Sequence, residues 1–140
     1  PSLDFGVTCI HTYWMADLSE CMQCHCLAAR RHARAVTRLY DAKLRPHGLR
    51  ATQFSVLVAL ALSGPRPIGA LAEGLGLERT SLTRSAAVLQ EAGWIAPDAP
   101  GDGRERPLKL TSAGRKKLEA ALPAWKAAQK QVAKSQHAKA

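Results

Sequence analysis

The stretch PIGALAEGLGLERTSLTRSAAVLQEAGWIAPDAPGDGRERPLKLT, residues 67–111, decides the fold of this chain. Its first part predicts a short helix. Pro67 suits the first turn of a helix, because the N–H that proline lacks has no helical partner there. Apolar residues then recur at helical spacing as far as Gly74 and Gly76, which mark the end of the helix and a turn.

A second helix follows this turn, with Leu82, Ala86 and Leu89 on its apolar side and Gly93 at the position where a C-terminal cap favours a left-handed residue. Its opposite side, near the N-terminus, carries hydroxyl and guanidinium groups: Arg79, Thr80, Ser81, Thr83 and Arg84. No acidic residue interrupts this run. Because such groups bind phosphates and base edges in the major groove, we expect this helix to contact DNA.

Two short strands are predicted next, at residues 94–97 and 107–110, around the turn-forming sequence DAPGDGRE. The loop between them presents Arg104, which we expect to enter a minor groove, where negative potential is concentrated. Asp102 is expected to hold that arginine by a charge-assisted hydrogen bond. Arg106 either contacts a phosphate or is a solvated strand charge. The whole pattern predicts a winged helix-turn-helix, a mainly α fold with a small β-hairpin wing.

The same residues resemble the MarR family of bacterial transcriptional regulators. In that family the wing carries an Asp-x-Arg pair eight residues ahead of a Leu-Thr that opens the next helix, and Asp102, Arg104, Leu110 and Thr111 match this pattern. The resemblance covers about residues 24–129. It implies a two-fold dimer built by the N- and C-terminal helices, and a crevice beside the DNA-binding lobe where small aromatic acids often bind.

The pattern divides the chain of 140 residues into four parts. They are an N-terminal arm at 1–18, a dimerisation helix with a cysteine cluster at 19–45, the winged helix-turn-helix at 46–111 and a C-terminal dimerisation helix at 112–140. A two-fold dimer would set two recognition helices about one turn of DNA apart, so that they read a pseudo-palindrome.

Several helix boundaries are predicted from local signals. The long helix of the second part is expected to begin at Leu27 and to be broken at Pro46. Thr52 is a plausible N-cap of the apolar segment QFSVLVALALS, and Thr111 is a plausible N-cap of the last helix. Pro123 is expected to kink the last helix or to separate two helices, and Leu118, Leu122, Trp125, Gln129 and Val132 form its apolar stripe.

Composition limits the possible classes of protein. The formal net charge of +9 favours a polyanionic partner. The sequence has no run of eighteen apolar residues and no basic-then-apolar signal at its start, which predicts a cytoplasmic protein without a membrane partner. It also lacks a phosphate-binding loop, a His-Glu-x-x-His motif and a dinucleotide glycine pattern, so we do not expect an enzyme.

Four cysteines cluster in the first fifth of the chain: Cys9, Cys21, Cys24 and Cys26. Clustered thiols in a cytosolic protein indicate metal binding or redox sensing rather than a structural disulfide framework. The last three could hold a thiophilic metal or metalloid ion, or oxidise within or between subunits. Cys9 and His11 could complete a zinc site. The alternative is that Cys24 and Cys26 are small buried hydrophobic residues at a subunit interface.

These observations predict a homodimeric DNA-binding regulator that acts as a repressor, requires no cofactor and leaves a pseudo-palindromic operator when a signal arrives. The signal is oxidation or a thiophilic ion at the cysteines, or alternatively a small aromatic ligand. A further alternative is a winged-helix module that binds protein and no DNA. The arginines on the predicted DNA side oppose that module, because a protein-binding face is built on apolar anchors.

Overall fold

The computed structural model describes residues 17–98 and 106–137, the side chains being described as far as residue 135. Its elements are a 3-10 helix Ser19–Gln23, α1 His25–Leu44, a 3-10 helix Arg45–His47, α2 Ala51–Ser63, α3 Ile68–Leu75, α4 Arg79–Glu91, β1 Ile95–Pro97, β2 Leu108–Leu110 and α5 Ser112–His137. Two compact units, residues 1–33 and 34–140, make up the chain. The predicted fold class, mainly helical with one small hairpin, is confirmed.

Helix α1 begins two residues earlier than the sequence predicted, at His25, and ends at Leu44. The expected break occurs there, because Pro46 lies in the 3-10 helix that follows and Gly48 adopts a left-handed φ of 71°. A side chain at Gly48 would also meet the ring of Trp94, whose nearest atom lies 3.7 Å from an ideal Cβ. The chain therefore turns closely beside this tryptophan.

The predicted N-cap of α2, Thr52, is wrong, because the helix already begins at Ala51. The amide of Ala51 donates to Oδ1 of Asp41 at 2.8 Å, and the amide of Arg50 donates to Oε1 of Gln53 at 2.9 Å. A carboxylate from α1 thus satisfies a free donor at the start of α2. No local pattern in the sequence reveals a cap that comes from another helix.

The hydrophobic core of the second unit is formed by α2, α4 and the two strands, with contributions from α3 and α5. The apolar side predicted for α4 is buried, as are the inward residues of the strands; the larger members are Leu44, Phe54, Val56, Leu57, Leu60, Leu71, Leu82, Leu89, Ile95 and Leu108. Burial of these side chains against one another holds α4 by one face and leaves the other face free.

The two strands pair antiparallel, with Ile95 opposite Leu110 and Pro97 opposite Leu108. Each is one residue shorter than predicted. Arg66, in the segment before α3, adds a bridge to the other edge of β2, because its amide and carbonyl both bond to Leu108, at 3.0 Å and 2.8 Å. Strand β2 is therefore hydrogen-bonded along both of its edges.

The last helix runs from Ser112 to His137 as one element that includes Pro123, so the predicted alternative of two separate helices is wrong. Its predicted apolar stripe is only half-buried at Leu118 and Trp125 and is exposed at Leu122. The fully buried positions are instead small residues seven apart: Gly114, Ala121 and Ala128. Small side chains bring the helix axis close to the body of the protein.

Three aromatic residues join the first, second and last long helices of this unit. The rings of Phe54 and Trp125 stack with centroids 6.0 Å apart, and Tyr40 lies tilted against Trp125 at 6.4 Å. The hydroxyl of Tyr40 donates a hydrogen bond to Oε1 of Gln129.

Within the described residues, no helix is both long and apolar enough to span a bilayer.

Candidate nucleic-acid interface

Helix α4 presents the polar face that the sequence predicted. It buries Leu82, Ala86 and Leu89 and exposes all five of the predicted contact residues: Arg79, Thr80, Ser81, Thr83 and Arg84. Since these five lie within the first two turns, they surround the end of the helix where unpaired amides and the positive end of the helix dipole attract phosphate. Their contact with DNA stays a prediction.

One of these five side chains already makes a hydrogen bond within the helix. Thr83 donates its hydroxyl proton to the carbonyl of Arg79 at 2.9 Å. The hydroxyl oxygen keeps its lone pairs, so Thr83 can accept a hydrogen bond, as from the exocyclic amine of adenine or cytosine. This restriction was not predicted, because it depends on the helical geometry of the two residues.

The base of the wing adds two exposed arginines. Arg106 precedes β2, as predicted, and Arg66 lies on the other edge of the same strand. Sequence reasoning missed Arg66, because it belongs to the loop before α3 and reaches β2 only through folding. Lys109 is held by Asp98 in an exposed ion pair of 3.3 Å, so its charge is partly neutralised. Asp102 and Arg104 lie outside the described residues.

Thr111 fixes the end of α4 to the start of α5. Its hydroxyl donates to the carbonyl of Gly93 at 2.7 Å and accepts from the amide of Gly114 at 3.0 Å, which confirms its predicted role as N-cap. Its own amide donates to the carbonyl of Trp94 at 3.1 Å. The C-terminal end of the predicted recognition helix, the first strand of the wing and α5 therefore meet at one residue.

Lys117 strengthens this junction from the next turn of α5. Its ammonium group lies 4.8 Å from the centre of the Trp94 ring and donates to the carbonyl of His47 at 3.2 Å. A cation over an indole face is attracted by the ring quadrupole. The turn after α1, the start of the wing and the last helix are thereby tied together.

An open groove of about 430 Å³ lies between α2 and α5. Its lining is Phe54, Ser55, Val58, Ala59, Leu62, Leu75, Leu122 and Trp125. No charged residue is among these, and Leu62 is 84% exposed. The groove therefore suits an apolar, neutral molecule, whereas the family resemblance implied an aromatic acid, whose carboxylate would call for a cation.

The cysteine cluster lies at the start of α1. Cys21, Cys24 and Cys26 are free thiols and exposed, while Cys9 and His11 lie outside the described residues. In the part of the chain that the structure describes, no three His, Cys, Asp or Glu side chains are grouped to hold a metal ion. Among the described residues these three cysteines are exposed, so the alternative in which Cys24 and Cys26 are buried needs a contact from outside that part of the chain, such as a partner subunit would provide.

The segment before the cluster is shaped by local hydrogen bonds. The amide of Ser19 donates to Oδ1 of Asp17 at 3.0 Å. This backbone hydrogen bond, together with one from the Ser19 side chain, lowers the pKa of Asp17. The hydrogen bond from Ser19 gives a partner to the first amide of the 3-10 helix.

Three features define the class of winged helix-turn-helix DNA-binding proteins. They are a helix-turn-helix packed on a hydrophobic core, an exposed polar helix face and a flanking hairpin. The model of the MarR family matches residues 47–105. The uncharacterized HTH-type transcriptional regulator YwoH of Bacillus subtilis (strain 168) is 33% identical over 87 residues. That alignment covers 62% of this chain and 64% of YwoH, so the chain spans somewhat less than two thirds of that curated relative.

Solved structures give the same assignment. The M. tuberculosis transcriptional regulator MosR is 39% identical, with a TM-score of 0.72 and coverage of 81% of this chain and 82% of MosR. Its complex with DNA is 40% identical, with a TM-score of 0.71 and coverage of 80% and 82%. Reduced AbfR bound to DNA is 26% identical, with a TM-score of 0.66 and coverage of 78% and 79%.

The chain belongs to the MarR family, as the resemblance predicted. The family and the relatives are DNA-binding transcriptional regulators and not enzymes, in agreement with the class predicted from the sequence. The family assignment does not test individual residues, so the role of each side chain on α4 and the wing depends on the geometry given above.

Proposed function

We propose that the protein is a homodimeric transcriptional repressor that binds a pseudo-palindromic operator and leaves it on oxidation of its N-terminal thiols. The observation that carries DNA binding is the exposed surface of α4, where Arg79 and Arg84 flank three exposed hydroxyl residues outside the buried apolar stripe. Rigid support on one side and hydrogen-bonding groups on the other are what a helix needs to read a major groove.

Charge supports the same proposal. Arg66 and Arg106 extend the basic surface from α4 to the base of the wing, and the chain carries a net charge of +9, which a dimer would double. Neutralising phosphates releases counterions, so binding is expected to weaken steeply as salt is added. A bacterial protein that binds genomic DNA acts in the cytoplasm, so the proposed function places this protein there.

Apolar exposure in the N-terminal unit favours the homodimer. Leu18, Met22 and Leu27 are 56%, 63% and 40% exposed, although each is a large apolar side chain. A second copy that covers them would remove this surface from water. The two-fold axis of such a dimer would place two copies of α4 about 34–36 Å apart, one turn of DNA, so the operator is expected to be pseudo-palindromic.

The cysteines supply the proposed signal. They are exposed, Cys21 and Cys24 precede the long helix α1 and Cys26 lies in its first turn, and that same helix holds the start of α2 through Asp41. The similar protein AbfR has been solved in its reduced form bound to DNA, which is the form that we expect to bind DNA here. Release requires only that the oxidised form favours the DNA-incompetent arrangement, by a coupling of about 1–3 kcal/mol. Arsenite-like ions would act on the same thiols.

Selection of bound sequences from a random DNA pool, with and without reducing agent, tests the proposal as a whole. We expect a palindrome that is enriched only under reduction. A palindrome in both conditions would reject the thiols as the sensor. No enriched sequence in either condition would reject DNA binding and favour the protein-interaction module instead.

Individual contacts are tested on the selected operator. Replacing Arg84 by alanine should weaken binding and reduce the slope of log affinity against log salt by about 1, because one phosphate contact is lost. Arg38→Ala, on the exposed surface of α1, removes the same charge and should leave the slope unchanged. Equal slopes for the two variants would show that only total charge matters and would contradict the assignment of α4.

The groove between α2 and α5 favours a second candidate function, regulation by a small ligand. Because its lining is apolar and uncharged, the proposed effector is a neutral aromatic molecule. Trp125 lines the groove, so 2-naphthol should change its fluorescence and 2-naphthoate should not, and the change should vanish in Trp125→Phe. Tighter binding of the naphthoate would contradict a neutral effector.

A further inference from the structure

A second apolar hollow, of about 340 Å³, lies between α2 and α3. It adjoins the groove between α2 and α5, because Ala59, Leu62 and Leu75 line both of them. Together the two hollows follow α2 from Phe54 to Ser63, which at about 1.5 Å per residue makes a path of about 13 Å. The combined surface therefore suits an extended chain molecule better than a single aromatic ring.

Arg66 gives this surface one charged end. Among the described residues that line the two hollows, it is the only charged one. It lines only the hollow between α2 and α3, whereas Phe54 and Trp125 line only the groove at the other end. Glu73 lies nearby in α3 but is not part of the lining. A complementary ligand therefore carries one negative charge at one end and none along its length.

The serine hydroxyls of the lining already donate within α2. Ser63 donates to the carbonyl of Ala59 at 2.7 Å, and Ser55 donates to the carbonyl of Ala51 at 3.1 Å. Between the two ends the wall is formed largely by apolar side chains, of which Leu62 is 84% exposed. An alkyl chain would remove this surface from water without leaving a new polar group unpaired.

The backbone of Arg66 is held firmly in place. Its amide and carbonyl both bond to Leu108 of β2, at 3.0 Å and 2.8 Å, and Pro65 and Pro67 flank it in sequence. Little backbone freedom is therefore left to lose when a ligand binds. A guanidinium group binds a carboxylate through two parallel hydrogen bonds. A single cation also matches a monoanionic carboxylate better than a doubly charged phosphate.

We propose that this surface binds a saturated medium-chain fatty acid, with its carboxylate on Arg66 and its alkyl chain over Leu62 towards Trp125. Arg66 also extends the proposed DNA-binding surface from α4 to the base of the wing. A bound fatty acid would therefore withdraw one cation from the operator. The binding site does not depend on the proposed function, whereas the competition for Arg66 rests on it.

Calorimetric titration of the full chain without DNA tests the site. Dodecanoate should bind about 10-fold more tightly than decanoate, because it buries two more CH2 groups. Decanoate should bind roughly 5-fold more tightly than decanol, the scale of an exposed ion pair. Arg66→Gln should lose this preference for the acid. Arg38→Gln removes the same charge from α1, outside both hollows, and should keep it. Equal preferences in the two variants would overturn the assignment of Arg66.

Gly74 tests the path of the alkyl chain. It lines the hollow between α2 and α3, and a Cβ there would meet nothing within 4 Å, so a leucine side chain enters open space. Gly74→Leu should weaken decanoate binding at least 10-fold. Gly69→Leu, in the same helix and equally open but outside the lining, should bind decanoate like the wild type. Wild-type affinity in Gly74→Leu would overturn the site, and its urea midpoint checks that the fold is retained.

Operator binding tests the competition. Saturating decanoate should weaken operator binding by wild-type protein roughly 10-fold, because one cation per subunit is withdrawn from phosphate. Arg66→Gln, which lacks that cation, and Gly74→Leu, which lacks the site, should not respond. Equal weakening in all three proteins would indicate a detergent effect and overturn the inference. If decanoate binds but operator affinity stays constant, the competition is wrong. If wild-type protein binds no operator at all, the proposed function fails, and calorimetry alone decides the site.

A second copy of the chain is the other occupant that would cover Leu62. The proposed dimer contact lies in the N-terminal unit, so Leu62→Asp should have the same molar mass in light scattering as the wild type. A monomeric Leu62→Asp beside a dimeric wild type would show that a second copy covers this surface and would overturn the fatty-acid site.

Discussion

At Gly114 helix α5 passes close to the wing, and adding one methyl group there tests the packing directly. An ideal Cβ on Gly114 would lie 2.0 Å from the carbonyl oxygen of Trp94 and 2.8 Å from Cδ1 of Leu110. The oxygen belongs to the backbone, so it cannot rotate away as the end of a flexible side chain can. Gly114→Ala must therefore shift α5 or β1.

The expected magnitude follows from two opposing terms. Alanine gains up to about 1 kcal/mol over glycine within a helix, whereas overpacking a buried site costs about 1–3 kcal/mol and more against rigid backbone. We expect a net loss of about 2 kcal/mol in the free energy of unfolding. For a chain of this length that corresponds to a fall in Tm of roughly 8 °C.

Gly74→Ala is the matched control, because Gly74 is also helical and a Cβ there would meet nothing within 4 Å. It should raise stability by about 0.5–1 kcal/mol, through the helix term alone. Thermal and urea unfolding of both variants at one fixed protein concentration gives the comparison. Gly114→Ala that unfolds at or above the wild-type midpoint would refute the close approach of α5 to Trp94.

Three further substitutions test the hydrogen bonds that join the elements of the second unit. Thr111→Val loses both a cap of α5 and the bond to the end of α4, and should cost about 1–2 kcal/mol in urea unfolding; an unchanged midpoint would contradict the cap. Lys117→Met should lower the free energy of unfolding by roughly 1 kcal/mol, because the indole contact and one hydrogen bond are lost. Lys116 is an exposed neighbour, so Lys116→Met should have almost no effect. Equal effects of the two substitutions would reject the contact with Trp94. Asp41→Ala frees the first amide of α2 and should cost about 1–2 kcal/mol, whereas Asp98→Ala, in an exposed ion pair, should cost less than about 0.5 kcal/mol; the reverse order would disprove the interhelical cap.

The recognition helix α4 shows how much of the fold the hydrophobic periodicity of the sequence can predict. The spacing of Leu82, Ala86 and Leu89 predicted both the helix and its buried side, and the structure buries all three. The exposed residues opposite them follow by elimination, because a helix held by one stripe must present the rest. Gly93 and Thr111 were also predictable, since a left-handed residue and a cap are local requirements.

The failures share a different cause. Thr52 was predicted to cap α2, but Asp41 of the preceding helix supplies the hydrogen bond. The apolar stripe of α5 was assigned to large residues, although the fully buried residues are Gly114, Ala121 and Ala128. Arg66 reaches the wing through a bridge to β2. Each of these depends on a residue distant in sequence.

The sequence by itself therefore determined the class of fold, the order of its elements, the polar face of α4 and the family, because helical spacing, glycine caps and motif spacing are properties of neighbouring residues. The tertiary structure decided which surfaces join that face, how α5 packs against the wing, and which residue caps α2. Those depend on the path of the backbone through space, which brings residues from different helices, such as Asp41 and Ala51, into one hydrogen bond.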